Sequence, residues 1–240
     1  MEVTMIKLIG FDVDNTLCVI NSKMKESTLE YLHMIKKRGI KIVFISGKPA
    51  IYLCGFVRQL GLSDITVIGE NGAEIYYDAN VPPSKVQNLA DDSSEYLKEI
   101  EGVLKKEFGG SIWFQPNRVN VTCFFRDDNV KVKIREVLKK LFDFEKYGEN
   151  LEIYEHVDCF DIVIKGITKG SGIKALCAHE NISLDEVMTI GDSSNDFSMF
   201  DISKISIGIN LYENYHVDYE FDDIDNALVF ILNKIIGGHQ

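Results

Sequence analysis

The chain has 240 residues, 45% hydrophobic and 26% charged, enough to bury a real core and ordinary for a globular protein. Its formal net charge of −11 excludes nucleic acid and anionic membrane as main partners, since both need a basic surface, but leaves room for a phosphorylated small molecule held by local cations or a metal. Five scattered cysteines (Cys18, Cys54, Cys123, Cys159, Cys177), with no CxxC pair, are those of reduced, mostly buried thiols in a cytoplasmic protein, neither a disulfide framework nor a zinc site.

In chain order, the first run is "IKLIGF" (6–11), too short for a helix and rich in isoleucine. Asp12 and Asp14 follow it where a secretion signal would need an apolar core, so none is expected. A helix over 26–38 places Leu29, Leu32 and Ile35 on one face and stops at Gly39. "IKIVFI" (40–45) is the second strand, and a helix opens at Pro49 and ends by Gly61. "ITVIG" (65–69) is the third strand, and "VPPSK" (81–85) reads as a linker.

Beyond the linker the pattern changes. An amphipathic helix over 94–108 (Tyr96, Leu97, Ile100, Leu104, Phe108) precedes strands at 112–116 and 119–126. A second helix, 130–142, precedes strands at 151–155 and 159–165 and the return "GITKG". Trp113, Phe124 and Phe125 are expected to pack this lobe. On strand 119–126, either Asn120, Thr122 and Phe124 or Val121, Cys123 and Phe125 face a ligand; the first set is preferred, because the second is more apolar and suits packing under helices. "VMTIG" (187–191) and "ISIGI" (205–209) resume the first pattern, an acidic run (218–225) reads as a solvated loop and helix cap, and a helix over 225–236 carries Ala227, Leu228, Ile231, Leu232 and Ile235. The chain is also free of any apolar run near the roughly 18 residues that span a bilayer. Alternating strands and helices imply an α/β protein: a Rossmann-like, mostly parallel core over 1–82 and 165–240, with a small α+β lobe, 83–164, inserted.

The strands of the larger part end in polar chemistry: "DVDNT" (12–16), "SGKP" (46–49) and "GDSSND" (191–196), with "TKGSG" (168–172) opening a later helix. Ligands of open α/β sheets bind outside the carboxyl ends of strands, so these loops should converge. Asp12, Asp14 and Asp192 would then share one cleft, and carboxylates so close need a cation. Oxygen donors without His or Cys suit a hard ion, most naturally Mg²⁺. Ser46 and the N–H groups around Gly47 offer an anion pocket, and Lys169 a point charge for phosphate. Taken singly, Asp12 and Asp14 could be a strand-end loop, Ser46 a helix cap and Lys169 a surface lysine; together they outline a phosphoryl-transfer site. His33, His156, His179, His216 and His239 show no ligand spacing. "GSGIKA" (170–175) fits a dinucleotide fingerprint, but the strand before it belongs to the inserted lobe, so nicotinamide binding is set aside.

The order "DVDNT … SGK … K … GDSSND" resembles the four motifs of the haloacid dehalogenase superfamily phosphatases, DxDxT, S/T, K and GDxxxD. The inserted lobe is similar in place and size to the α/β cap of the branch holding archaeal-type phosphoglycolate phosphatases and sugar phosphatases, and "GENGA" (69–73) to the segment before that cap. The resemblance implies that Asp12 attacks phosphorus to form an aspartyl-phosphate and that Asp14 handles the protons. It implies that Asp12, Asp192 and the backbone carbonyl of Asp14 hold Mg²⁺. Ser46, Gly47 and Lys169 would grip phosphoryl oxygens, while Asn195 and Asp196 orient Lys169 and metal waters. Lys48 stands where Arg often follows the glycine, keeping the charge without the planar fork. The expected activity is that of a Mg²⁺-dependent phosphatase on a small metabolite, phosphoglycolate or a sugar phosphate, from a cytoplasmic monomer or small homo-oligomer. The alternatives are a phosphotransferase or phosphomutase, or a phosphate-binding regulatory module without turnover.

Overall fold

The structure, a computed structural model, describes residues 5–79, 83, 85–90, 93–212 and 214–235. Of the proline-containing linker it describes only Pro83 and Lys85, and Ile236 and His239 also lie outside these residues. Two compact units emerge: the chain up to Asn88 together with that from Thr168 onward, and the intervening Leu89–Ile167.

The larger unit begins with β1 (Leu8–Asp12), α1 (Glu26–Lys37), β2 (Lys41–Ile45), α2 (Ala50–Gln59) and β3 (Thr66–Gly69). In α1 Leu32 and Ile35 are buried in the core and Thr28 is buried beside them, with Glu26 in the first turn and Lys36 and Lys37 in the last, each of the sign that suits the helix dipole. Pro49 caps α2 from outside rather than forming its first turn. Two elements then appear that the apolar pattern did not announce: β4 (Glu74–Tyr77), antiparallel to β3, and β5 (Lys85–Asn88), antiparallel to β4. "KVQN" is a short, largely exposed edge strand with no apolar periodicity, yet its pairing attaches it to the large sheet.

The second unit contains α3 (Ser94–Phe108), β6 (Ile112–Phe114), β7 (Val121–Phe125), α4 (Asp128–Phe142), the short α5 (Glu145–Gly148), β8 (Leu151–Glu155) and β9 (Cys159–Ile164). Its antiparallel sheet runs β6-β7-β9-β8, with α3 and α4 against β7. Val121 and Cys123 pair with Ile162 and Phe160, forming one apolar face, while Thr122 and Phe124 pair with Asp161 and Cys159 on the other. Trp113 stacks on Phe124, ring centroids 5.6 Å apart. Alternation along β7 thus gives one apolar face and one that mixes Thr122 and Asp161 with Phe124 and Cys159. Lys165 donates to the carbonyl of Asn150, which holds it with this unit.

The chain returns through α6 (Lys169–Glu180), β10 (Val187–Gly191), α7 (Phe197–Phe200), β11 (Ile205–Ile209), β12 (Tyr219–Phe221) and α8 (Ile224–Phe230). The large sheet runs β12-β11-β10-β1-β2-β3-β4-β5, parallel through β3. On one face Ile9, Phe11, Ile42, Phe44 and Val67 join α1, α2 and α8 in a single core, while α6 and α7 lie on the other. Strands covered on both sides read as unbroken apolar runs, and burying each such side chain is worth roughly 1.5–3 kcal/mol. The acidic run is more structured than a solvated loop: Tyr219–Phe221 extends the sheet, Asp218 accepts from the Ser206 amide, and Asp225 accepts from Ser27 and Thr28 at 2.5 Å each. Only Asp223 behaves as the expected cap, accepting from the Asp225 amide. Among the described residues no helix is long and apolar enough to cross a membrane.

Candidate active site

Three neighbouring parallel strands, β10, β1 and β2, deliver the candidate residues. Phe11 pairs with Ile190 and Asp12 with Ile45, so Asp12, Ser46 and Asp192 leave the sheet side by side at its carboxyl edge. The ligand atoms of Asp12, Asp192 and Asp196 all fall within 4.8 Å of one another.

Lys169, only 1% exposed, fills the centre. Its Nζ donates to Asp12 Oδ1 at 2.6 Å, Asp196 Oδ1 at 2.6 Å and Asn195 Oδ1 at 3.1 Å. Lys169 opens α6, whose start is fixed by a capping box between Thr168 and Ser171. Two glycines let that start come so close. A side chain at Gly72 (φ +111) would meet the Thr168 carbonyl, and one at Gly170 the Ser198 carbonyl. Gly170 therefore serves helix packing, which gives "GSGIKA" its account without a dinucleotide.

The electrostatics are those of crowded acids. Burial pushes the Asp12 carboxyl up to about 8; Lys169 opposes that, and Asp196 and Asp192 reinforce it. Burial also raises Asp192, as does Asp196, while the Thr16 hydroxyl lowers it. Burial would drive Lys169 towards its neutral form, but Asp12 and Asp196 more than offset it and hold the ammonium above the ordinary lysine value. One lysine among three carboxylates leaves excess negative charge in a desolvated place. That donor set, all hard oxygen, fits Mg²⁺ and no soft ion.

The remaining predicted residues divide. Asp196 is fully buried, and its second oxygen accepts from the amides of Asp192 and Ser193 at 2.9 and 3.1 Å, tying the "GDSSND" turn together. The Asp14 side chain does not join the acidic cluster; it is part-exposed and pairs with Lys48 Nζ. Ser46 is buried, its hydroxyl accepting from the Lys48 amide at 3.1 Å. Its amide and carbonyl bond to Ile68 and Asn71, so the "SGK" turn is stitched to "GENGA". Gly47 lies in that turn with the Asn71 side chain against it.

Two contacts made by residues of these motifs follow from no spacing along the chain. Thr16 donates to Asp192 Oδ1 at 2.9 Å, across 176 residues. Lys48 reaches Asp14 although only its charge was legible. Beside Asp14 and Lys48 a hollow of about 630 Å³ opens, walled by Met24, Leu29, Tyr52 and Phe56.

Comparison with known proteins agrees on the family. The model of the haloacid dehalogenase-like hydrolases matches residues 9–108 and 93–210. A phosphoglycolate phosphatase of Methanobrevibacter smithii is 25% identical over 213 residues, 88% of each chain. An HMP-PP phosphatase of Cronobacter sakazakii is 23% identical over 234 residues, 83% of this chain and 82% of its own. Among solved structures, a Thermoplasma acidophilum protein superposes with a TM-score of 0.76 at 18% identity, over 96% of this chain and 98% of its own. A haloacid dehalogenase-like hydrolase from B. subtilis gives 0.74 at 18% identity, over 98% and 100%. At such identities the superpositions speak for the fold.

Proposed function

The chain belongs to the haloacid dehalogenase-like hydrolases, and on that premise we propose that it is a Mg²⁺-dependent phosphatase of a small phosphorylated metabolite, working through an aspartyl-phosphate on Asp12. One observation carries the reading: Asp12 stands buried at the end of β1, bonded to Lys169 and within 4.8 Å of Asp192 and Asp196. Names among the relatives supply two substrates, phosphoglycolate and HMP-PP, and the family resemblance adds sugar phosphates as a class.

Asp12 and Asp192, with the backbone carbonyl of Asp14, would hold Mg²⁺, which supplies charge neutralisation to the carboxylates and to the transferring group. An Asp12 carboxylate oxygen forms a bond to phosphorus as the bond to the leaving oxygen breaks, and Asp14 protonates that oxygen. A water then attacks phosphorus, Asp14 takes its proton, and the bond to Asp12 breaks to release phosphate. Lys169 is held in place by Asn195 and Asp196 and presents its charge to phosphoryl oxygens as they gain negative character. The Ser46 hydroxyl accepts from the Lys48 amide and so keeps its own proton to donate, beside the N–H of Gly47. The Lys48 pair holds Asp14 at the mouth of the hollow, where an organic leaving group has room. The inserted unit would act as the cap whose side chains select that group. Five free thiols accord with a cytoplasmic location.

The test is phosphate release from phosphoglycolate, sugar phosphates, HMP-PP and p-nitrophenyl phosphate, with and without Mg²⁺. Release should require the metal, and Asp14→Asn should lower kcat about 10²–10⁴-fold on poor leaving groups and less on p-nitrophenolate, which leaves without a proton. Full activity in Asp12→Asn would refute the assignment.

A further inference from the structure

A second cluster of ligand-capable side chains lies in the inserted unit, on residues the phosphatase reading does not use. The hairpin joining β8 and β9 is closed by the His156 amide donating to the Cys159 carbonyl at 2.9 Å. That closure sets the side chains of His156 and Cys159 beside Asp161, and a ring nitrogen, the sulfur and a carboxylate oxygen all lie within 4.8 Å of one another. His156 Nε2 is 3.4 Å from Asp161 Oδ2. The pattern is His-x2-Cys-x-Asp. A two-residue gap across a tight turn is the spacing by which small zinc modules present paired ligands.

Asp161 is also aimed from behind. Thr122 donates to its Oδ1 at 2.6 Å, leaving Oδ2 towards His156. Asn117 donates to Thr122 at 3.0 Å, and Gln115 to Asn117 at 2.7 Å. A hydrogen-bonded relay ending on a candidate ligand is how metal sites orient their donors. The His156–Asp161 ion pair accounts for two members of this group, and the thiol placed with them has Asp158 as its hydrogen-bond partner.

We propose that His156, Cys159 and Asp161 form a second metal site, for a thiophilic divalent ion of the Zn²⁺ class and separate from the all-oxygen cluster of the larger unit. Imidazole and thiolate select borderline-soft ions over Mg²⁺. Donors around zinc stand roughly 3.3–3.8 Å apart for bonds of about 2.0–2.3 Å, so donors already within 4.8 Å of one another need only a small closure of the hairpin on binding. The Cys159 thiol gives its proton to solvent as the metal–sulfur bond forms. Three protein donors leave a fourth position for water.

Co²⁺ added to the whole protein in saturating Mg²⁺ tests this, because the acidic cluster contains no sulfur. A thiolate-to-cobalt absorption band should grow to one equivalent, be displaced by Zn²⁺, and persist in Asp12→Asn. It should vanish in Cys159→Ser, and Co²⁺ affinity should fall about 10–100-fold in His156→Gln and in Thr122→Val. The His156 side chain is 42% exposed, so that variant should fold even if Cys159→Ser does not. No band at stoichiometric Co²⁺, a band surviving Cys159→Ser, or an affinity unchanged in His156→Gln each overturns the site.

Discussion

Among the described residues stand two groups of side chains able to ligate a metal, one in each unit, and they are built on opposite principles. In the larger unit Asp12, Lys169, Asp192 and Asn195–Asp196 come from distant stretches of chain, each delivered by the end of a strand or the start of a helix. In the smaller unit His156, Cys159 and Asp161 come from one hairpin. The first is crowded with like charge and nearly dry; the second is mixed in donor type and partly open. Assembling a site from many elements allows acids to be buried against each other, because the whole sheet holds them there. The hairpin draws its three donors from its turn and from β9, with Thr122 of β7 holding only Asp161 from behind, so these donors must be compatible among themselves.

The sharpest way to break the contrast is at Asp12. Asp12→Asn keeps the shape but removes the nucleophile, and phosphate release should fall by at least about 10⁴-fold in initial-rate assays, with any cobalt–thiolate band untouched. Next comes Lys169→Met, which leaves Asp12 and Asp196 facing each other without their shared cation. Urea unfolding should show a loss of about 3–5 kcal/mol, partly restored by Mg²⁺. An unchanged midpoint would mean that the three carboxylates tolerate each other unaided.

Thr16→Val is a smaller perturbation. It removes the hydroxyl that orients Asp192, and Mg²⁺ affinity read from activity should weaken about 10–100-fold while the fold stays intact. The mildest test is pH. Between 3.8 and about 8, folded Asp12 keeps a proton that the unfolded chain has released, so this group makes the metal-free protein less stable as pH rises. Mg²⁺ competes with that proton, so the Mg²⁺-induced rise in Tm should grow across the same window. A gain in Tm independent of pH would place the metal elsewhere.

Much of this was legible in the residues. The unbroken apolar runs of β1, β2, β3, β10 and β11 announce strands covered on both faces, and the acids directly after them announce where those strands end. What escaped was short, polar or dependent on a partner. β4, β5 and β12 have three or four residues each, too few to display a period, and became strands by pairing with an edge already formed. The Lys48–Asp14 pair and the Thr16–Asp192 bond follow from no spacing along the chain. Counting cysteines for CxxC pairs passed over Cys159, whose neighbours are a histidine and an aspartate.

By itself, the sequence determined the fold class, the order of the core elements and the identity of Asp12, Asp14, Ser46, Lys169 and Asp192 as candidates. Period two, period 3.6 and motif order are properties of the chain, so they can be read before it folds. Asp196 at Lys169 was already implied by the family resemblance; only the tertiary structure decided that the Asp14 side chain turns instead to Lys48, and that a hairpin brings a thiol to an imidazole. Desolvation and charge–charge energies depend on distance through space, and that distance does not exist until the sheet and the hairpin close.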